Sequence, residues 1–156
     1  MSLVETATVV AAHALSLWLG WRARSAARFA LVVITLLVSA AMFLPGTLLV
    51  SLIDSDLLAA IDKAARRWHL TPSDLAHFVA FFLLAAALWT WRPEWRGWRA
   101  LALLVALAIG GELMQGLGGA QRSPKLVDVG INLLGAILGV FVAAIAVRFA
   151  NPRDRR

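Results

Sequence analysis

The sequence predicts an all-α fold: a polytopic bundle of four or five transmembrane helices with one short interfacial amphipathic helix. Three observations predict it. Hydrophobic residues make up 61% of the 156 and charged residues 15%, with a mean hydropathy of +0.79, whereas soluble domains run nearer half apolar and a quarter charged. The apolar residues fall into runs of about 20, enough to cross ~30 Å of hydrocarbon as a helix. The basic residues gather beside those runs at alternate connections, as orientation signals do. The whole chain, 1–156, reads as a single membrane domain. Its net charge of +6 would suggest nucleic acid in a soluble protein, but here the positions of the arginines argue for topology, and no nucleic acid partner is expected. There is no cysteine, which excludes disulfides, thiolate metal sites and cysteine nucleophiles. With only three histidines as well, neither a metal nor another cofactor is expected.

The first element, Leu3 to Trp21, is apolar and long enough to span, yet it holds Glu5, Thr6, Thr8, His13 and Ser16. At 100° per residue these five fall on one side of a helix. The segment is either a first span with its polar stripe against the bundle or an interfacial helix. Arg22, Arg24 and Arg28 follow it, whereas a signal peptide carries its positive residues in front. Phe29 to Val50 is a span without a charge, with Pro45-Gly46 marking a kink or exit. Leu52 to Leu70 mixes Asp54, Asp56, Asp62, Lys63, Arg66 and Arg67 with Leu57, Leu58, Ile61, Ala65 and Trp68. Its apolar positions recur every three or four residues, so it reads as a short helix on the membrane surface, with His69 solvated at its end.

Thr71-Pro72-Ser73-Asp74 is a helix start, with Thr71 as N-cap, Pro72 at the first helical position and Asp74 in the first turn. The helix runs to about Trp91. Trp89, Trp91, Trp95 and Trp98 bracket a connection containing Arg92, Arg96 and Arg99, an aromatic belt with positive charge. Two further spans follow, about 100–117 and 126–147, and the tail 148–156 is basic. Counting basic residues places Arg22/Arg24/Arg28, Arg92/Arg96/Arg99 and the C-terminal tail in the cytoplasm, and the surface helix and the Arg122–Asp128 turn outside.

The chemistry concentrates where apolar sequence is interrupted by Glu112, Gln115, Arg122, Lys125, Asp128 and Asn132. Ionisable groups inside a membrane cost ~2.5–3.5 kcal/mol each at a helix centre and mark function by default. At 1.5 Å per residue, His77 lies ~4 Å and Asn132 ~10 Å below their helix starts, and Glu112 ~18 Å up from the inner end of its span. All three therefore fall in the outer half of the bilayer, which predicts one polar pocket beneath the outer surface. Glu112 and Gln115, three apart, share a helix face, as do Asp128 and Asn132, four apart. Plainer roles stand beside this one. Asn132 and Gln115 are residue types that join helices by hydrogen bonds. Glu112 and Asp128 could neutralise Arg122 and Lys125, and His77 could be a packing histidine. Gly135 and Gly139 have the small-xxx-small spacing that lets another helix approach closely.

The order His77-Phe78, Glu112, Gln115, Arg122, Asp128, Asn132, Gly135, Gly139, as H-F…E-x-x-Q…R-x5-D-x3-N-x2-G-x3-G, resembles the VanZ-like family of bacterial integral membrane proteins over about 29–147. Leu3–Trp21 looks additional to that family's usual four spans. Ser73 and Asp74 stand where the family usually has Asp and Lys, Gly111 where it often has Asp, and Phe81 where it often has Tyr. The resemblance implies a multi-pass protein of the bacterial cytoplasmic membrane and a cell-envelope role; the founding member is associated with glycopeptide (teicoplanin) resistance.

Two functions remain open on the residues. In one, Arg122 and Lys125 hold the anionic head group of a membrane lipid or lipid-linked envelope precursor, with Gln115 and Asn132 as further ligand-binding residues. In the other, the protein is an intramembrane enzyme acting on such a lipid, with His77 as acid/base, Glu112 or Asp128 orienting it, and Arg122 as electrostatic clamp. A proton or ion carrier is disfavoured, because the inner half of every long span lacks ionisable residues.

Overall fold

The computed structural model describes residues 3–21, 25–43, 54–117 and 125–150; the side chains of Gln115 and of several residues of the first two helices lie outside that description. The elements in order are α1 (Leu3–Trp21), α2 (Ser25–Phe43), α3 (Ser55–Arg67), α4 (Pro72–Trp91), a 3₁₀ turn (Pro93–Trp95), α5 (Trp98–Leu117) and α6 (Leu126–Ala150). Among the described residues there is no strand. The all-α expectation holds. Two helices, α4 and α6, are long and apolar enough to cross a membrane, and α1 and α2 contain the shorter apolar stretches Val10–Leu19 and Ala26–Ser39.

Boundaries follow local chemistry. α2 begins at Ser25, earlier than the charge-free run suggested, and includes Arg28, whose Nη2 donates to the Trp21 carbonyl at 3.0 Å. That bond serves one of the last α1 carbonyls, which have no partner within their own helix. The Pro45-Gly46 exit lies outside the described residues. α6 runs on to Ala150 and takes Arg148 into its last turn, where a cation complements the helix dipole. In α3 the Asp54 carboxylate caps the N-terminus through the Asp56 and Leu57 amides at 2.9 and 3.4 Å. Its exit is a Schellman turn: Leu70 donates to Ala65 at 3.0 Å and His69 to Arg66 at 3.2 Å. His69 therefore sits in the left-handed region at φ 56°, a position glycine usually fills. It is exposed, as the sequence predicts. Asp62 pairs with Arg66 at 2.7 Å on the open face of α3, and that hydrogen bond and the carboxylate's charge hold the guanidinium above its ordinary range.

α4 is the hub of the bundle. Its start is the predicted one, completed as a capping box: the Asp74 amide donates to Thr71 Oγ1 at 3.2 Å and the Thr71 amide to Asp74 Oδ2 at 2.7 Å. His77, Ala80, Phe81, Leu84, Ala85 and Leu88 are buried at helical spacing. α6, α2, α3 and α5 all pack on this helix, α6 most extensively. α6 and α4 run parallel in close register, because Gly135 faces the Phe78 backbone and Gly139 that of Phe82. A Cβ at Gly135 would fall 3.1 Å from the Phe78 carbonyl carbon, and one at Gly139 3.0 Å from that of Phe82. The carbonyl oxygens of Phe78 and Phe82 would lie closer still, nearer than real Cβ atoms come, which is why the small-xxx-small stripe is needed. On the other faces of α6, Leu134, Ile137, Phe141 and Val142 are exposed.

The polar stripe expected on α1 is split. Thr6 and His13 are exposed while Ser16 is buried. The inward positions are instead Ala12, Leu15, Ser16 and Leu19, the i, i+3, i+4, i+7 pattern of a packing face. Ser16 tolerates burial because its hydroxyl donates to the His13 carbonyl at 2.8 Å, as Thr35 does to Leu31 at 2.7 Å in α2.

At the end of the bundle where α4 stops and α5 begins, the aromatic belt is folded onto α1. Trp18 and Trp95 meet edge to face at 5.0 Å, and Arg96 and Arg99 lie over Trp89 and Trp98. Arg92 departs from the belt pattern. It is 3% exposed, pairs through Nε with Glu94 and donates through Nη1 to the Leu19 carbonyl, tying α1 to α4. A cleft of about 690 Å³ opens here, lined by Trp18, Trp21, Arg92, Trp95 and Trp98 among others.

Candidate functional site

The opposite end gathers the start of α4, the start of α6 and the last turns of α5. Pro72 and the capping box fix where α4 begins, which places His77 in its second turn. The Gly135–Phe78 contact sets α6 beside that same turn. Asp128 and Asn132 lie on α6 two turns and one turn before Gly135, and so come level with the N-terminal turns of α4. α5 runs the other way and delivers Glu112 near its C-terminus.

One ligand-capable atom from each of His77, Glu112 and Asp128 lies within 4.8 Å of the other two. His77 and Glu112 are buried, at 2% and 3% exposure, and Asp128 is half-buried. The Lys125 amide donates to Glu112 Oε2 at 3.2 Å. The same carboxylate's other oxygen, Oε1, is buried and has no hydrogen-bond partner among the described residues. Asn132 is fully buried, and neither its Oδ1 nor its Nδ2 has such a partner.

Of the seven residues singled out from sequence, His77, Glu112 and Asp128 come together, Asn132 stands one turn from Asp128, and Lys125 joins through its backbone. Its side chain belongs to an exposed residue. The contact between Lys125 and Glu112 is thus made by the main-chain amide rather than by the charge pairing the sequence suggests. Arg122 and the side chain of Gln115 lie outside the described residues. Reading the sequence did not single out the Phe78 and Phe82 backbones, which set the height of α6 against His77. Only the spacing of Gly135 and Gly139 hinted that some backbone would stand there. Chemically, an imidazole beside two carboxyl groups can pass a proton, orient a polar substrate or hold a cation.

A sequence model of the VanZ/LLP1 family matches residues 9–147. The match takes in most of α1 as well as the motif-bearing helices, and so starts earlier than the region in which the motifs themselves are legible. Comparison with curated proteins and with solved structures found no match. Apolar helices with His77, Glu112, Asp128 and Asn132 set in the motif order, within a match over nearly the whole chain, lead to one conclusion: the chain belongs to the VanZ/LLP1 family.

Proposed function

We propose that this chain is a multi-pass protein of the bacterial cytoplasmic membrane whose polar cluster faces outward and binds the anionic head group of a lipid or lipid-linked envelope precursor. Four or five helices cross, α3 lies on the outer surface, and residues 92–99 and the C-terminus face the cytoplasm. The observation that carries this reading is the buried, incompletely hydrogen-bonded cluster of Glu112 and Asn132 beside His77 and Asp128. Packing alone gives no reason to leave such atoms unsatisfied, since a buried polar group without a partner costs ~1–3 kcal/mol. Lys125, next to the cluster, and Arg122 in the same connection supply the positive charge for an anion. Family membership supports a cell-envelope role, and a link to glycopeptide (teicoplanin) susceptibility is part of the proposal.

The convergence of His77, Glu112 and Asp128 favours a second reading, an intramembrane enzyme that modifies the same lipid by acid–base chemistry. One experiment separates the two. Purified protein incubated with lipid extract retains an anionic lipid unchanged if it is a binder and consumes it if it is an enzyme. In either case Glu112→Gln and Asp128→Asn should insert and melt like the native protein yet abolish retention or turnover, together with any change in glycopeptide susceptibility at matched expression. Loss of folding in proportion to loss of effect would make the cluster structural and overturn both readings.

A further inference from the structure

Two carboxyl groups have the wrong polarity to meet a phosphate directly, since ionised they repel it. We infer that His77, Glu112 and Asp128 hold one divalent transition-metal ion, Zn²⁺ or Mn²⁺, whose remaining coordination positions face the bound anion. The phosphate half of this inference rests on the head-group reading above; the ion itself rests on geometry.

The donor set is one imidazole and two carboxyl groups from three different helices. Imidazole favours transition ions over Mg²⁺ and Ca²⁺, which take oxygen cages. Three protein ligands with an open position is the pattern of zinc sites that act on a ligand, as opposed to closed structural sites. Two donors at ~2.0–2.2 Å on one tetrahedral ion stand about 3.4 Å apart. The three donor atoms, all within 4.8 Å of one another, reach that spacing by rotation of their side chains on a fixed backbone.

A second observation points the same way. Glu112 is divided in its bonding: Oε2 accepts from the Lys125 amide at 3.2 Å, while Oε1 is buried without a hydrogen bond among the described residues. A ligating carboxylate looks like this, one oxygen oriented by the surrounding protein and the other left for the ion. Asn132, fully enclosed one turn from Asp128 and also without a partner among the described residues, is placed to bond a water or phosphate oxygen on that ion. The frame is stiff, because the Gly135–Phe78 contact leaves no room for α6 to shift toward α4. Counting histidines and cysteines in the sequence argues against a metal, since it overlooks carboxyl ligands that only packing unites.

The test uses full-length protein in detergent, stripped with chelator and titrated with Zn²⁺ or Mn²⁺ alone. One ion per chain should bind saturably and raise Tm by about 5–10 °C at a hundredfold excess over Kd. His77→Gln and Asp128→Asn should each weaken binding at least tenfold, while Asp62→Asn on α3 should not. No saturable binding at one per chain, or undiminished binding by both variants, overturns the inference, and the native titration decides this even if a variant fails to fold. Retention of phosphatidylglycerol is measured on the same samples. An ion bound with no lipid retained sustains the metal site and overturns the head-group reading. Lipid retained by protein that binds no ion does the reverse.

Discussion

Asn132 poses the sharpest question at the scale of a residue. It is enclosed on all sides, and neither atom of its amide is satisfied among the described residues. An amide kept to hold helices together would lose stability on truncation, whereas an amide kept for a ligand costs stability until the ligand arrives. We expect Asn132→Leu, close in size and with nothing to satisfy, to leave Tm unchanged or raised by a few degrees while cutting anionic-lipid retention at least fivefold. A fall in Tm with retention unaltered would make Asn132 an interhelical tie. Arg92 shows the opposite case. By sequence it belongs with the belt arginines Arg96 and Arg99, but it is buried where Arg96 is half-buried and Arg99 exposed, with its charge met by Glu94 and its guanidinium donating to the end of α1. Composition could not separate these arginines, because all three stand beside tryptophans and only the position of α1 distinguishes them.

At the scale of an element, the α4–α6 pair determines the site. Helices in lipid gain little from apolar burial, since the surroundings are as apolar as the interface, so they associate through close van der Waals packing. Gly135 and Gly139 permit that against the Phe78 and Phe82 carbonyls. Gly135→Ala inserts a methyl group where only backbone could give way, an overpacking that costs ~1–3 kcal/mol. The expected result is a Tm lower by several degrees and weakened lipid retention, because Asp128 and Asn132 move with α6. Gly130→Ala, where nothing lies within 4 Å of the added carbon, should leave both unchanged. Equal behaviour of the two variants in thermal melts would mean that the close contact does not hold the pair together.

For the whole molecule, the exposed apolar side chains and the two ends of the bundle bear on the proposed membrane setting. Among the described residues, Leu134, Ile137, Phe141 and Val142 on α6 are exposed, as are Val79 and Leu83 on α4, apolar side chains of the kind a lipid surround accepts. The cluster and the arginine-tryptophan belt lie at opposite ends of the bundle, so their sidedness is one question. Since the chain has no cysteine, single cysteines report it without background. Ser123→Cys should react with a membrane-impermeant thiol reagent on intact cells and Arg99→Cys only after lysis. Arg99 serves for the inner side in preference to its neighbour Gly97, whose φ of 80° would strain any side chain placed there. Labelling at 99 and not at 123 would invert the topology.

The all-α character and the start of α4 are legible in the sequence. Apolar runs of spanning length, the Thr71–Asp74 cap and the small-xxx-small stripe are local signals that need no partner to be read. The sequence also carried the order of His77, Glu112, Asp128 and Asn132, from which the family is legible, and depth counting placed them at one level. Only the tertiary structure decided which atoms meet: that His77, Glu112 and Asp128 converge within 4.8 Å, that Lys125 serves Glu112 through its amide, and that α4 stands at the centre. The physical reason is rotation. Residue spacing gives height along a helix and relative angle within it, but the angle between helices is set by packing, here by two glycines against the backbone of α4.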